Sequence, residues 1–113
     1  MSQQSLPILT FTDIATTAIA ANTFVGWTGA TAAAGDKVKG VSRSDAAIGQ
    51  PFPTDVLGTS IVIAGAAFAA GDALEVGTAG AAIKNAGTNP VVGHALQAAN
   101  GAGDLIEVFI LSA

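Results

Sequence analysis

The chain has 113 residues, half of them apolar and only 11% charged, with a formal net charge of −4. That is enough chain for one domain with a buried core. The balance excludes a nucleic-acid binder, which needs a basic patch to replace counterions, and the absence of cysteine excludes disulfides and thiolate metal sites.

Met1–Ser5 is polar and carries no basic n-region, so no secretory signal is expected. The longest apolar run, 61–70, is about half of the roughly 20 residues that a spanning helix needs. Both readings point to a soluble protein made in the cytoplasm. Pro7–Thr12 follows as an extended segment whose apolar side chains are Ile8, Leu9 and Phe11. It is either a terminal edge strand, for which Pro7 is a suitable start, or an arm that adds a strand to a partner. Asp13–Asn22, rich in Ala and Thr, reads as a short helix capped by Asp13 or as an extended loop. Phe24–Trp27 is a short strand, 28–36 a turn and loop, and Lys37–Val41 alternates like a half-exposed strand. A polar connection over 42–49 has room for one helical turn. Gln50–Leu57 carries Pro51 and Pro53, which cannot donate to a ladder, so an edge or bulged strand is expected there.

Ser60–Ala64 is rich in β-branched residues and is the most secure strand. Ala73–Val76 and Ala81–Lys84 flank the turn 77–80 as a hairpin. The chain is organised around its last unit, strand Val91–Leu96, polar spacer 97–101, and strand 102–111. Three turns share one dipeptide: Gly35-Asp36, Gly71-Asp72 and Gly103-Asp104. Each is a turn that launches a strand, because Gly permits positive φ and Asp bonds the turn backbone. Similar spacing around them suggests two half-repeats, about 20–66 and 67–113. The sum is a mainly β, small single-domain β-barrel or β-sandwich with one or two short helices, an N-terminal arm or edge strand over 1–12, and the domain over 13–113.

Chemistry is sparse. His94 is the single histidine and suits a hydrogen-bonded structural role in its strand. Glu75 and Glu107 lie on separate strands, where a facing carboxylate pair is the alternative to solvated strand residues. No phosphate loop is present. The chain is therefore not expected to be an enzyme or to need a cofactor, metal or small-molecule substrate. Its core must be built mostly from small aliphatic side chains, because Phe11, Phe24, Phe52, Phe68, Phe109 and Trp27 are its only aromatics. Modest stability for a lone subunit follows. A surface so short of charge favours protein contacts. The candidate contact residues are Leu6, Pro7, Ile8, Leu9 and Phe11 at the N-terminus. Trp27 with a small basic group, Lys37, Lys39 and Arg43, forms a second candidate interface.

Several stretches together resemble a family: Phe24-Val25-Gly26-Trp27-Thr28-Gly29, Gly40-Val41-Ser42, Asp45-Ala46-Ala47-Ile48-Gly49-Gln50-Pro51, Ala69-Ala70-Gly71-Asp72-Ala73-Leu74, Val91-Val92-Gly93-His94-Ala95-Leu96 and Ala102-Gly103-Asp104-Leu105-Ile106-Glu107-Val108. They are similar to the small capsid cement or decoration proteins of tailed bacteriophages. The resemblance covers about 20–111. It implies a β-tulip-like fold, as in lambda-type head decoration proteins, and homo-oligomers, commonly trimers. It implies binding to the major capsid protein on the outside of the expanded head, hence a place on the virion exterior after synthesis in the bacterial host. Relatives that use an N-terminal arm would place it here at Met1–Thr12. The alternatives are another phage head–tail or tail component, or a small ligand-binding or enzymatic barrel.

Overall fold

The structure, a computed structural model, describes residues 6–110. Met1–Ser5 of the expected arm and 111–113 lie outside the described residues. The chain forms β1 (Pro7–Ile14), β2 (Phe24–Val25), β3 (Gly40–Ser42), β4 (Pro51–Ile63), β5 (Ala73–Val76), β6 (Ala82–Lys84), β7 (Gly93–Ala95) and β8 (Leu105–Ile110). The sheet runs β2-β3-β4-β8-β7-β5-β6, and β1 pairs with β4 off this path. Its two ends approach each other, where the Gly35 N–H donates to the Val76 carbonyl at 2.8 Å. The result is a nearly closed, barrel-like sheet.

Among the described residues, helix is confined to one 3-10 turn, Thr78–Gly80. Asp13–Asn22 takes the extended-loop alternative. Ala15 and Ile19 are buried, and Ile19 exchanges backbone hydrogen bonds with Ala46 at 2.8 and 2.9 Å. The 42–49 connection is turns, not a helical turn. Ala15 and Ala46 fill tight spaces between segments, and the backbone bridge between Ile19 and Ala46 overrides alanine's helix propensity.

β4 organises the barrel. Its alternation buries Phe52, Thr54, Val56, Ser60 and Val62 on one side. The Ser60 hydroxyl donates to Asp55 Oδ2 at 3.0 Å. Five residues of straight strand span about 16 Å, so β4 must turn sharply between them. The turn falls at Gly58, whose φ is +103°. Pro51 and Pro53 are tolerated for a related reason. The Pro53 carbonyl accepts from the Arg43 N–H, so its nitrogen also faces that side, past the end of β3, where no ladder donor is required.

The main core joins Phe24, Val38 and Val41 to Val62, Leu74, Val76, Val92, Val108 and Ile110, while Val25, Phe52, Ile19, Ala15 and Ala46 form a smaller cluster. The Gly35, Gly71 and Gly103 turns all have positive φ (73°, 89° and 95°). Their aspartates accept from Lys37, Ala69 and Asn100 N–H groups respectively.

The pairing recurs along the chain. Thr10 faces Asp55 as Thr59 faces Phe109; Val41 faces Asp55 as His94 faces Phe109; Phe24 faces Val41 as Ala73 faces His94. The Ile19–Ala46 exchange recurs at Phe68–Ala99, and the Ala15–Gln50 and Gly49–Ala15 bonds recur as Ala64–Asp104 and Gly103–Ala64. Even the close approaches match: a Cβ on Gly40 would stand 2.1 Å from the Asp55 carbonyl oxygen, and one on Gly93 would stand 2.7 Å from that of Phe109. The first run of pairing starts at β1 and the second inside β4, so both begin earlier than residues 20 and 67.

Candidate functional site: the exposed N-terminal strand

β1 lies on β4 in an antiparallel register that runs unbroken from Thr10–Asp55 to Ile14–Pro51, with irregularities around Leu9. Pro7–Thr12 is therefore an edge strand of the domain itself. Thr12 faces Pro53, whose polar backbone groups point toward β3. That pair exchanges no ladder bonds, and the backbone N–H and C=O of Thr10, Thr12 and Ile14 point away from β4. An edge of this kind is a template for another strand.

Side chains hold β1 in place. The Thr10 hydroxyl donates to Asp55 Oδ1 at 2.9 Å, and Leu6 and Thr59 bond each other through Leu6 N–H to Thr59 Oγ1 and Thr59 N–H to Leu6 O. Lys39 Nζ sits 2.6 Å from Asp13 Oδ1 and 5.1 Å from the centre of the Phe11 ring, which adds a cation–π contact. The other Asp13 oxygen and the Thr54 hydroxyl are buried without a hydrogen-bond partner, so the Lys39 pair carries the compensation at this end of the strand.

What β1 presents outward is apolar. Leu6, Ile8, Leu9, Phe11 and Ile14 are all exposed, Ile8 to 77%, and so is Leu57, which faces Leu9 across the ladder. These six are more than half of the exposed large apolar side chains among the described residues. Apolar exposure concentrated on one strand in this way marks a protein contact.

The second predicted group is not assembled as a basic face. Arg43 binds the fully buried Asp55 carboxylate, with its Nη2 3.0 Å from Oδ1. Lys39 is turned onto Asp13. Strand pairing brings each cation to a carboxylate, fully buried at Asp55 and half-buried at Asp13, that favours an opposite charge beside it. Trp27 and Lys37 do lie together, on an open cleft of about 370 Å³ lined also by Thr28, Thr31 and Asp36, and Trp27 is 59% exposed.

Catalytic groups do not converge. Glu75 and Glu107 are separated by β7, and among the described residues no cluster of His, Asp and Glu is suited to a metal ion. His94 is exposed on β7. Glu75 is buried, not solvated: it accepts from Asn89 Nδ2 at 2.6 Å and from the Ala86 N–H at 2.8 Å. Sequence reasoning missed this clamp on the 85–90 loop, whose only signal was an acidic residue in an otherwise apolar strand.

The Asn89 bond, with help from Ala86 and against burial, holds the Glu75 carboxyl below its ordinary value of 4.5. A lowered value means the clamp is fully present above the ordinary carboxylate range and is lost as pH falls through the depressed value. Amide exchange of Ala86 and Gly87 should therefore accelerate, relative to the intrinsic rate, only once the pH has fallen below the ordinary carboxylate range. Glu75→Gln should flatten that step. A wild-type loop whose protection is pH-independent would contradict the assignment.

The phage cement protein family matches residues 2–110 of this chain. No curated protein matches it. Among solved structures it is similar to the crystal structure of the head fiber gp8.5 N base in bacteriophage phi29, at 24% identity and a TM-score of 0.77, over 91% of this chain and 93% of that one.

Proposed function

Because this chain belongs to the phage cement protein family, a structural component of the phage head, we propose that it binds the outside of the assembled, expanded head and stabilises it across capsomer joints. The exposed apolar edge strand β1 is the observation that carries this reading. Its partner is the major capsid protein, and Leu6, Pro7, Ile8, Leu9 and Phe11 make the contact. Trp27 and Lys37 on their cleft supply a second contact. The protein self-associates, as a homotrimer, and is made in the bacterial cytoplasm before joining the virion exterior.

The physics is linkage. A protein that binds the closed shell and not its free subunits stabilises the shell by the free energy of that binding. Each contact need only be modest, because many symmetry-related copies act on one closed lattice. No bond is made or broken, so none of the residues of the contact has to be reactive.

Co-sedimentation with undecorated, expanded heads tests the reading. The wild-type chain should saturate at copies on the order of hundreds per head, set by the shell's symmetry, and raise the temperature at which heads rupture. Ile8→Glu places a charge on the most exposed apolar position of β1. It should weaken retention at least about tenfold, equivalent to about 1.4 kcal/mol per contact, while Ile48→Glu, equally exposed elsewhere, should not. Retention of about a dozen copies or fewer would instead place the protein at the portal vertex or tail.

A further inference from the structure

We propose that Asn100-Gly101, in the turn before β8, is a self-modifying site at which the asparagine deamidates to an aspartyl or isoaspartyl residue. The inference goes beyond head binding and needs only the folded chain and water. An asparagine deamidates when the backbone nitrogen of the next residue attacks its side-chain carbonyl carbon. The attack is favoured by a carboxamide able to swing, a following N–H not held in a hydrogen bond, and a following residue without bulk. Asn100 meets all of these conditions. It is exposed, and among the described residues neither its carboxamide nor the Gly101 N–H takes part in a hydrogen bond. A Cβ at Gly101 would meet nothing within 4 Å, so the approach is unobstructed. The other three asparagines each fail a condition. Asn22 precedes the buried, β-branched Thr23, whose N–H bonds the Ser42 hydroxyl at 3.3 Å. Asn85 has both ends of its carboxamide engaged, Nδ2 by the Asn89 carbonyl and Oδ1 by the Gly87 N–H, and the Ala86 N–H that follows it is held by Glu75. Asn89 donates to Glu75 through Nδ2 and precedes Pro90, which has no N–H.

The recurrent pairing shows that the fold does not require these two residues. The turn 99–104 has its sister in 46–50. Both follow matching strand ends, where the Arg43 N–H bonds the Pro53 carbonyl and the Leu96 N–H that of Glu107. In the sister turn Gln50 Oε1 accepts from the Ala47 N–H, and the Gln50 N–H bonds the Ala47 carbonyl, both at 3.0 Å. In 99–104 Asp104 Oδ2 accepts from the Asn100 N–H at 2.8 Å, and the Asp104 N–H bonds the Gly101 carbonyl at 3.4 Å. The sister turn is built from Ala46-Ala47-Ile48, with no asparagine. Nor does Gly101 serve a left-handed conformation, unlike Gly103 at +95°.

The chemistry balances with water alone. The Gly101 nitrogen gives its proton to solvent base and bonds to Asn100 Cγ. The Cγ–Nδ2 bond then breaks, and Nδ2 leaves as ammonia with a proton taken from water. Water opens the resulting cyclic imide at either carbonyl carbon. One opening leaves aspartate, and the other leaves isoaspartate, with the main chain rerouted through Cγ. Nothing is oxidised or reduced. Either product sets a new carboxylate near that of Asp104, and like charges repel. The isoaspartyl form also adds a methylene to the backbone inside the turn, which no longer matches the two hydrogen bonds that Asp104 makes there. The adjoining exchange between Phe68 and Ala99, at 2.9 and 3.2 Å, should loosen with it.

The test ages the purified wild-type chain in mildly alkaline buffer at physiological temperature, with folding followed by circular dichroism. Ion exchange should resolve a more acidic form that accumulates with time. Peptide mapping by mass spectrometry should place the change at Asn100, with a fraction that is methylated by a protein isoaspartyl methyltransferase. Gly101→Ala, which the turn accommodates, should slow the reaction at least about tenfold, equivalent to about 1.4 kcal/mol on the barrier. As a check that does not depend on that variant, Asn100→Asp should elute with the acidic form from the start. Aged wild type should melt below the fresh chain, and Gly101→Ala aged alongside it should not. Asn100 left unmodified, or Gly101→Ala ageing at the wild-type rate, would overturn the site. Modification at Asn100 with unchanged melting would overturn the loosening of the turn. No heads are present, so none of these outcomes bears on capsid binding.

Discussion

Gly58→Ala should lower stability by about 2–5 kcal/mol, the sum of backbone strain and overpacking. At roughly 4–8 °C per kcal/mol for a domain of this size, thermal unfolding should move down by about 10 °C or more. Gly58 has a φ of +103°, and a Cβ there would stand 2.3 Å from the Leu6 carbonyl oxygen and 2.9 Å from the Ile8 nitrogen. Both are backbone atoms, one of Leu6 just before β1 and one of Ile8 within it, so no side chain can swing aside to relieve the clash. The chain has two responses. It can straighten β4 and lose the corner that brings Ser60 to Asp55, or it can release the start of β1. Gly103→Ala provides the control: its φ is +95°, but a Cβ there meets nothing within 4 Å, so it should cost about 1 kcal/mol from strain alone. Equal melting temperatures for the two variants would show that the approach of β1 to Gly58 is not what the glycine serves. Amide exchange should locate the larger loss in β1, and head binding should fall with it.

Arg43→Ala should cost about 1–3 kcal/mol, less than the 3–5 kcal/mol typical of a broken, fully buried pair. The Asp55 side chain is fully buried, while Arg43 is 44% exposed, so solvent can reach the vacated side. What remains around the carboxylate is two hydroxyls, from Thr10 and Ser60. They donate hydrogen bonds but bring no positive charge. Because Thr10 belongs to β1 and Ser60 to the far side of the corner, the loosened carboxylate should weaken both attachments together. The double variant R43L/D55F copies the residues found at Leu96 and Phe109. It should recover much of the loss, since a buried ion pair replaced by apolar side chains of matching shape is often close to neutral. A thermal-melt double-mutant cycle measures the coupling. Independent, additive losses from Arg43→Leu and Asp55→Phe would mean that the two side chains do not act as a pair.

Much of the fold was legible because strands announce themselves through short-range rules. The β-branched run Ser60–Ile63, the hairpin around 77–80 and the final pair of strands all carry their period and turn residues in the local chain. The family resemblance rested on the same stretches, and the match over residues 2–110 extends it into the N-terminal segment, where no motif was visible. The helix considered at Asp13–Asn22 failed because backbone hydrogen bonds tie Ala15 and Ile19 to other segments, while Thr16, Thr17, Ala18 and Ala20 stay exposed. Those ties are a requirement of distant residues, Ala46 and Gln50, and leave no periodic trace.

The candidate site divides the same way. That Ile8, Leu9 and Phe11 form an apolar extended segment followed from sequence, since alternation and Pro7 act within a few residues. Whether that segment was an arm or an edge strand was left open by sequence, because the answer lay 40 to 50 residues away, in β4. The charges were the least legible. Lys37, Lys39 and Arg43 are close along the chain, yet Asp13 and Asp55, brought to Lys39 and Arg43 by strand pairing, took two of the three out of any basic face. Composition and local pattern thus determined a mainly β, charge-poor protein. Only tertiary structure decided which apolar side chains stay exposed and which charges are spent inside, because both depend on long-range register, and a register is set jointly by two strands that each, taken alone, permit several.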